Sequence, residues 1–244
     1  NLSILSHLAA MGSGFDIVSG GELERVRRAG GRMDRVVMSG VGKRDEELEA
    51  ALRLRIRAIH IESAPELSRL SRLARRLKRR APIALRVNPD VDARTHPYIA
   101  TGLEASKFGI PVNEARALYA SAAEDAALDV RGIACHIGSQ ITSVAPFIDA
   151  VKRVRALADE LERDGIALRY LDIGGGLGIR YRDEQPPDPD EYARAVSGAL
   201  RGYLGEVLLE PGRVLVGNAG ILLTRVLYVK KSGFLNTTGF ILGT

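Results

Sequence analysis

Short runs of β-branched and aliphatic residues alternate along this chain with longer segments in which apolar residues recur every three or four positions. Runs of the first kind favour strands, and the three-to-four spacing favours amphipathic helices. The predicted strands cover residues 15–19, 35–39, 58–62, 83–88, 132–138, 170–174 and 207–210. The predicted helices cover residues 22–29, 45–55, 65–80, 113–127, 145–164 and 189–204. This alternation predicts an α/β protein with a parallel sheet.

The residues at the strand ends distinguish between two architectures that contain a parallel sheet. An open doubly wound sheet gathers its site at one switch point, whereas a barrel draws polar groups from the ends of most strands. The predicted strands here end in Ser, Asn, Gly or Glu, and most of them carry candidate site residues at or near that end. We therefore expect residues 1–212 to form a (β/α)8 TIM-type barrel that lacks its first strand. The apolar run 214–231 has no helical pattern, so residues 213–244 are expected to begin a β-rich C-terminal domain.

Composition indicates a folded core and argues against several classes of partner. The 244 residues are 45% hydrophobic and 27% charged, with a net charge of +5. The basic run 72–80 contains leucines at helical spacing and no aromatic residue, which favours a solvated helix face over a nucleic-acid site. No apolar run reaches the length of a membrane span. We expect neither a nucleic-acid nor a membrane partner.

The sequence gives little indication of cysteine chemistry or of a metal site. Cys135 is the single cysteine and lies in an apolar run, so we interpret it as a small buried side chain. No second ligand stands at a metal-binding spacing from His136, and His96 lies in a distant turn. We expect no metal site.

A glycine-rich turn follows the predicted strand 170–174. Gly174, Gly175 and Gly176 would let backbone N–H groups approach an anion, which predicts a phosphate cradle. The alternative is a tight turn without a ligand. The spacing matches neither the dinucleotide fingerprint nor a P-loop.

Charged groups follow several other predicted strands. Glu210 requires a cation, and Arg213 could simply neutralise it. In the functional interpretation, Glu210 pairs with a protonated ring nitrogen, while Gly212 and Arg213 hold a phosphate or a carboxylate. His136 is a core histidine, an acid–base group or a ring that stacks on a cofactor.

Three further residues, Asp16, Arg86 and Lys107, also stand at or near strand ends. For each of them, a local cap or salt bridge is the alternative to a role in a site.

Taken together, these runs resemble one family. The matching runs, in chain order, are GFDIVSGGELERV (14–26), RVNPDVDARTHPYIATGLEASKFGI (86–110), ACHIGSQI (134–141), LDIGGGLGI (171–179) and LLEPGR (208–213). The chain is similar to the fold-type III pyridoxal-phosphate decarboxylases, which have alanine-racemase-like barrels. THPYIATG and CHIGSQI favour the branch that acts on diaminopimelate over those that act on ornithine or arginine.

The resemblance implies an activity and a set of roles. The activity is pyridoxal-phosphate-dependent decarboxylation of meso-diaminopimelate to L-lysine by a cytoplasmic homodimer with shared active sites. His136 would stack on the cofactor ring, and Glu210 would keep the ring nitrogen protonated. Arg86 and Asp16 would support the cofactor from further out. The residues implied to hold the phosphate are Ser139, Gly174, Gly175, Gly176, Gly212 and Arg213, the last also reaching the substrate.

Other interpretations stay open. The chain could belong to a decarboxylase of ornithine, arginine or a carboxylated polyamine, or be an inactive remnant that only binds the cofactor. It could also be a phosphate-binding barrel with another ligand. The family's cofactor lysine lies in a Tyr-x-x-Lys-Ala-Asn run, and no lysine here has that context. We therefore expect an internal piece of the enzyme that is inactive alone, without the family's C-terminal catalytic cysteine.

Overall fold

The computed structural model describes residues 1–92, 108–221, 223–232 and 237–243. Seven strands form a parallel sheet in their order along the chain, and the two-residue strand β5 pairs beside β4. The strands are β1 (Phe15–Ile17), β2 (Val36–Met38), β3 (Ala58–Ile61), β4 (Ala81–Asn88), β5 (Ile110–Pro111), β6 (Leu128–Ala134), β7 (Tyr170–Asp172) and β8 (Glu206–Leu208). All seven predicted strands are confirmed, with ends displaced by a few residues.

The sheet is curled rather than open. No hydrogen-bond ladder joins β1 to β8 among the described residues, yet the two strands approach each other at their C-terminal ends. A carboxylate oxygen of Asp16 on β1 lies within 4.8 Å of one of Glu210, which follows β8. In a flat sheet of seven strands, the edges would be about 30 Å apart. This closure confirms a barrel that is open between β1 and β8.

The helices after the first connect successive strands and cover the outside of the barrel. They are α1 (Leu2–Ala10), α2 (Gly20–Arg28), α3 (Asp45–Leu54), α4 (Ala64–Arg76), α5 (Val112–Glu124), α6 (Ala145–Arg163) and α7 (Pro189–Ala199). The six predicted helices are confirmed. α1 was not predicted from the sequence, because it precedes the first strand and buries none of its residues.

The basic run shows how these helices pack. In α4, the N-cap residue Ser63 accepts a hydrogen bond from the backbone N–H of Glu66, and proline occupies the first turn. Leu70 and Leu73 are buried against the sheet, whereas Arg72 is exposed. The prediction of a solvated arginine face is therefore confirmed. Among the helices of the described ranges, none combines the length and the apolar character that a bilayer crossing requires.

The segment after β8 departs from its prediction. Residues Arg213–Val216 form a short helix, α8, so the expectation of helix-free structure across 214–231 is wrong at its start. Strands β9 (Arg225–Ser232) and β10 (Thr237–Gly243) follow and pair with each other in antiparallel fashion, as a separate two-stranded sheet. A domain boundary near residue 213 stays a prediction.

Candidate active site

Acidic and imidazole side chains converge where the parallel strands end. Asp16 lies on β1, His60 on β3, Asp172 ends β7 and Glu210 follows β8. One ligand atom from each of Asp16, His60 and Glu210 lies within 4.8 Å of the others. Because the carboxyl ends of parallel strands meet at one end of a barrel, residues nearly 200 positions apart in the chain become neighbours.

His60 is the buried centre of this group. Its Nδ1 lies 3.1 Å from the Ser39 hydroxyl and its Nε2 lies 3.2 Å from the Tyr170 hydroxyl. Burial lowers the pKa of His60 to about 3, and the positive charges of Lys43 and Arg86 add to this effect. The ring is therefore neutral, so that it donates one of these hydrogen bonds and accepts the other.

Asp172 is fully buried beside this histidine. Its Oδ1 accepts a hydrogen bond of 2.9 Å from the Gly174 N–H. Its Oδ2 receives no N–H donor and lies 4.0 Å from Nε2 of His60. Burial raises the pKa of the Asp172 carboxyl to about 6. A hydrogen bond with the carboxyl group of Glu210 lowers the pKa of Asp172 and raises that of Glu210, so the two acids share a proton when no cation is beside them.

Two more acids share the pocket. Burial raises the pKa of Glu210 well above its usual value, and the negative charges of Asp172 and Asp16 raise it further. Asp16 keeps contact with solvent in the open mouth, yet the protein atoms crowded around it raise the pKa of its carboxyl to about 7. Three carboxyl groups this close cannot all be ionised without a cation.

Arg86 lies near these acids, but it already has an acidic partner. Its Nη1 donates to Oε1 of Glu62 at 2.9 Å, and both side chains are largely buried. Glu62 also accepts hydrogen bonds from the backbone N–H groups of Gly40 and Gly109, each at 3.1 Å. Arg86 is thus held at the strand end, with part of its charge neutralised. The local salt bridge that the sequence left as an alternative is present.

His136 follows β6 and faces the same pocket. The Gly175 N–H donates to its Nδ1 at 3.3 Å, and that nitrogen lies 4.0 Å from Oε2 of Glu210. Burial lowers the pKa of His136 to about 4, with the charge of Arg86 as a second cause. The ring is neutral and carries its proton on Nε2. Its neighbour Cys135 is buried and free, as predicted.

The glycine run lets three strand-end loops pack together. Gly174 and Gly176 adopt φ values of +70° and +110°, which strongly disfavour other residues. A Cβ atom on Gly174 would collide with the Cys135 carbonyl, and one on Gly176 would collide with the Gly138 carbonyl. A tight turn is therefore required here, whether or not its N–H groups also meet an anion.

Arg213 does not neutralise Glu210. Its guanidinium donates to the Ser139 hydroxyl at 2.9 Å and to the Tyr181 hydroxyl at 2.8 Å. No ion pair joins it to Glu210 within the described ranges. Arg213 is exposed, and a Cβ atom on Gly212 would meet open space. The basic group and the acidic pocket are therefore separate, as the functional interpretation requires.

The sequence singled out some of these residues and missed others. Asp16, Arg86, His136 and Glu210 come together as expected, whereas Lys107 and His96 lie outside the described residues. His60 and Asp172, together with Glu62, were missed. Glu62 ends the predicted strand 58–62, while His60 and Asp172 lie two residues before the ends of predicted strands, so a search near strand ends could have identified all three.

Comparisons with known proteins agree on one family. Residues 1–217 match the pyridoxal binding domain of the pyridoxal-dependent decarboxylases. The chain is 55% identical to the diaminopimelate decarboxylase of Pseudomonas aeruginosa over 232 residues, 95% of this chain and 56% of that protein. It is 54% identical to the Vibrio cholerae diaminopimelate decarboxylase over 233 residues, again 95% of this chain and 56% of that protein.

A solved structure extends this likeness to the fold. The diaminopimelate decarboxylase of Helicobacter pylori, crystallised with L-lysine, superposes with a TM-score of 0.90 at 42% identity. The match covers 100% of this chain and 61% of that one. The chain thus spans a little over half the length of the proteins that it matches.

Proposed function

Because this chain belongs to the pyridoxal-dependent decarboxylase family, we propose that it forms the cofactor-binding barrel of an enzyme that converts meso-diaminopimelate to L-lysine. The observation that carries the proposal is the acidic pocket of Asp172, Glu210 and Asp16. The proposal extends to a cytoplasmic homodimer whose partners share active sites.

The residues of the pocket fit pyridoxal phosphate. Oδ2 of Asp172 receives no N–H donor, and its neighbours Glu210 and Asp16 are acids with raised pKa values. A protonated ring nitrogen supplies the positive charge and the N–H donor that these acids lack. Bound there, the cofactor provides an electron sink for the electron pair left when the substrate loses carbon dioxide. Glu210 would hold the proton at that nitrogen, because a neighbouring cation favours its carboxylate form.

His136 would contact the flat face of the cofactor ring. A neutral imidazole stacks on an aromatic ring without the cost of burying a charge. The hydrogen bond from Gly175 to Nδ1 fixes the orientation of the imidazole. His136 thus positions the cofactor and is not charged near neutral pH.

The phosphate would bind at the basic end of the site. Ser139 and the two donor nitrogens of Arg213 lie together there, beside the open space next to Gly212. Guanidinium groups suit phosphate and carboxylate oxygens through paired hydrogen bonds. Gly174, Gly175 and Gly176 would contribute backbone N–H groups. Because Arg213 is exposed, it could release Tyr181 and reach the distal carboxylate of the substrate.

Arg86 and Asp16 would complete the cofactor site from further out. The Glu62–Arg86 pair places a guanidinium near Asp172 and Glu210, where its charge lowers the pKa of both acids. The positive charge of Arg86 therefore limits how strongly the acidic pocket retains protons when no cofactor is bound.

Substrate choice is tested on the complete enzyme that contains this chain. Carbon dioxide release is measured with meso-diaminopimelate, ornithine, arginine and a carboxylated polyamine. We expect kcat/KM for diaminopimelate to exceed the others by about 100-fold or more. A preference for another substrate would reassign the enzyme. Reversible cofactor binding without any turnover would identify a binding remnant.

The role of Glu210 is tested with Glu210→Gln, which keeps the shape of the side chain and removes its charge. We expect decarboxylation to fall by about 100-fold or more, while cofactor absorbance shows that pyridoxal phosphate still binds. The control, Glu114→Gln, alters an exposed carboxylate on α5 and should retain activity. Full activity of Glu210→Gln would show that Glu210 does not hold the proton at the ring nitrogen.

A further inference from the structure

A second polar cavity lies at the opposite end of the barrel from the acidic pocket. It has a volume of about 240 Å³ and is lined by four arginines together with the buried apolar residues Leu52 and Ile56. The four arginines are Arg55, Arg79, Arg80 and Arg131. We propose that this cavity, the arginine cavity, binds a small anion with two or more negative charges, such as a phosphate or a dicarboxylate.

Two of the arginines are already fixed by the barrel. Arg80 donates to the Leu128 carbonyl at 3.2 and 2.8 Å. Arg131 donates to Oδ2 of Asp129 and to the Arg57 carbonyl, each at 2.7 Å. These contacts already hold both guanidinium groups at the wall of the cavity. Ordering them when an anion binds therefore costs little further entropy.

The other two guanidinium groups belong to Arg55, which is exposed, and Arg79. Within the described part of the chain, neither of them has an ion pair or a side-chain hydrogen bond. Arg79 is only partly exposed, so its charge is kept near the cavity. Guanidinium groups that converge without a partner carboxylate are suited to bind a multivalent anion through paired hydrogen bonds.

The backbone at Arg55 strengthens this inference. Arg55 caps the C-terminus of α3 with φ 56° and ψ 49°, a left-handed conformation. Glycine is the common residue at such a position, because a Cβ atom is strained there. The chain carries an arginine instead, and its side chain lines the cavity. The left-handed turn sets where the Arg55 side chain leaves the helix, which is at the wall of the cavity.

The charge balance favours a dianion. Helices α3 and α4 both end near the cavity, and their carbonyl ends together carry about one negative charge. Asp129 adds another, which it shares with Arg131 and Arg169. The helix ends and Asp129 thus balance about two of the four positive charges of the arginines. The volume corresponds to about eight water molecules, which is enough for a phosphate or a short dicarboxylate.

Thermal unfolding with inorganic phosphate tests the proposal at constant ionic strength, with chloride as the reference anion. At about 100 times its Kd, phosphate should raise the Tm by about 5 °C or more. Arg55→Gly should raise the Tm without phosphate by about 2–4 °C, because it relieves the backbone strain, yet it should lose most of the phosphate response. Arg79→Gln should also lose that response.

Two further variants distinguish the arginine cavity from other basic surfaces of the chain. Arg72→Gln removes an exposed charge from α4 outside the cavity, and Arg213→Gln alters the basic group at the other end of the barrel. If the anion binds in the arginine cavity, Arg72→Gln should keep the response, and Arg213→Gln should lose only the part that comes from phosphate bound at the proposed cofactor site. A response lost in Arg213→Gln but kept in Arg55→Gly overturns the proposal, as does equal loss in Arg72→Gln or no response in the unaltered chain.

Discussion

Replacing Asp172 by asparagine should stabilise the cofactor-free chain at neutral pH while weakening its site. The carboxyl group is fully buried, and only one of its oxygens accepts a hydrogen bond from an N–H group. Burial raises its pKa from 3.8 to about 6, so the folded chain holds this proton more tightly than the unfolded chain does. The folded state therefore loses stability as the pH rises from about 4 through 6, and the full cost is present above pH 6.

The size of the effect follows from the pKa. A rise from 3.8 to about 6 corresponds to about 3 kcal/mol of stability. Asparagine avoids this cost, because it is uncharged. It still accepts the Gly174 N–H through its carbonyl oxygen, as the protonated carboxyl does. We expect a gain of about 3 kcal/mol above pH 6 and little change below pH 4, where the parent carboxyl is itself uncharged.

Urea denaturation followed by circular dichroism, at pH values between 4 and 8, measures this change. The control is Asp149→Asn, which alters an exposed carboxylate on α6 and should change stability little at either pH. In parallel, the affinity for pyridoxal phosphate should fall, because the pocket loses a negative charge beside the proposed ring nitrogen. The reasoning fails if the Asp172→Asn variant is less stable than the parent at pH 8, or if its gain is independent of pH.

Three further predictions address the rest of the site. Gly176→Ala should destabilise the chain by about 2 kcal/mol or more in urea, because φ is +110° and the methyl group meets the Gly138 carbonyl; unchanged stability would contradict this packing. In an NMR titration, the imidazole of His136 should protonate near pH 4, and a midpoint above pH 6 would contradict its burial. Glu62→Gln should cost about 3 kcal/mol, because it leaves the largely buried Arg86 with an uncharged partner; a cost like that of an exposed glutamate would contradict this.

The barrel was predictable because its elements obey local rules. Apolar runs identified the seven strands and amphipathic periodicity identified six helices. Their ends were less predictable, since chain geometry decides them. The strand predicted over 170–174 stops at Asp172, because Gly174 turns the backbone to a φ of +70°. The short helix Arg213–Val216 has an apolar sequence that is equally compatible with a strand.

The site was predictable in part, since the carboxyl ends of parallel strands meet at one end of the barrel. From the sequence alone, that rule brought Asp16, Arg86, His136 and Glu210 together. It did not indicate which groups would pair. His60 bonds to Tyr170, 110 positions further along the chain, and only the order and register of the strands determine such a contact.

The pairing of Arg213 shows why the three-dimensional arrangement matters for function. From the sequence, Arg213 could neutralise Glu210 and leave nothing for a ligand to do. It instead bonds to Ser139 and Tyr181, so Glu210 shares its pocket with other acids. Arg86, whose charge also reaches this pocket, is already paired with Glu62. The pocket therefore lacks positive charge. This deficit, more than any single residue, favours a ligand whose ring nitrogen carries a proton.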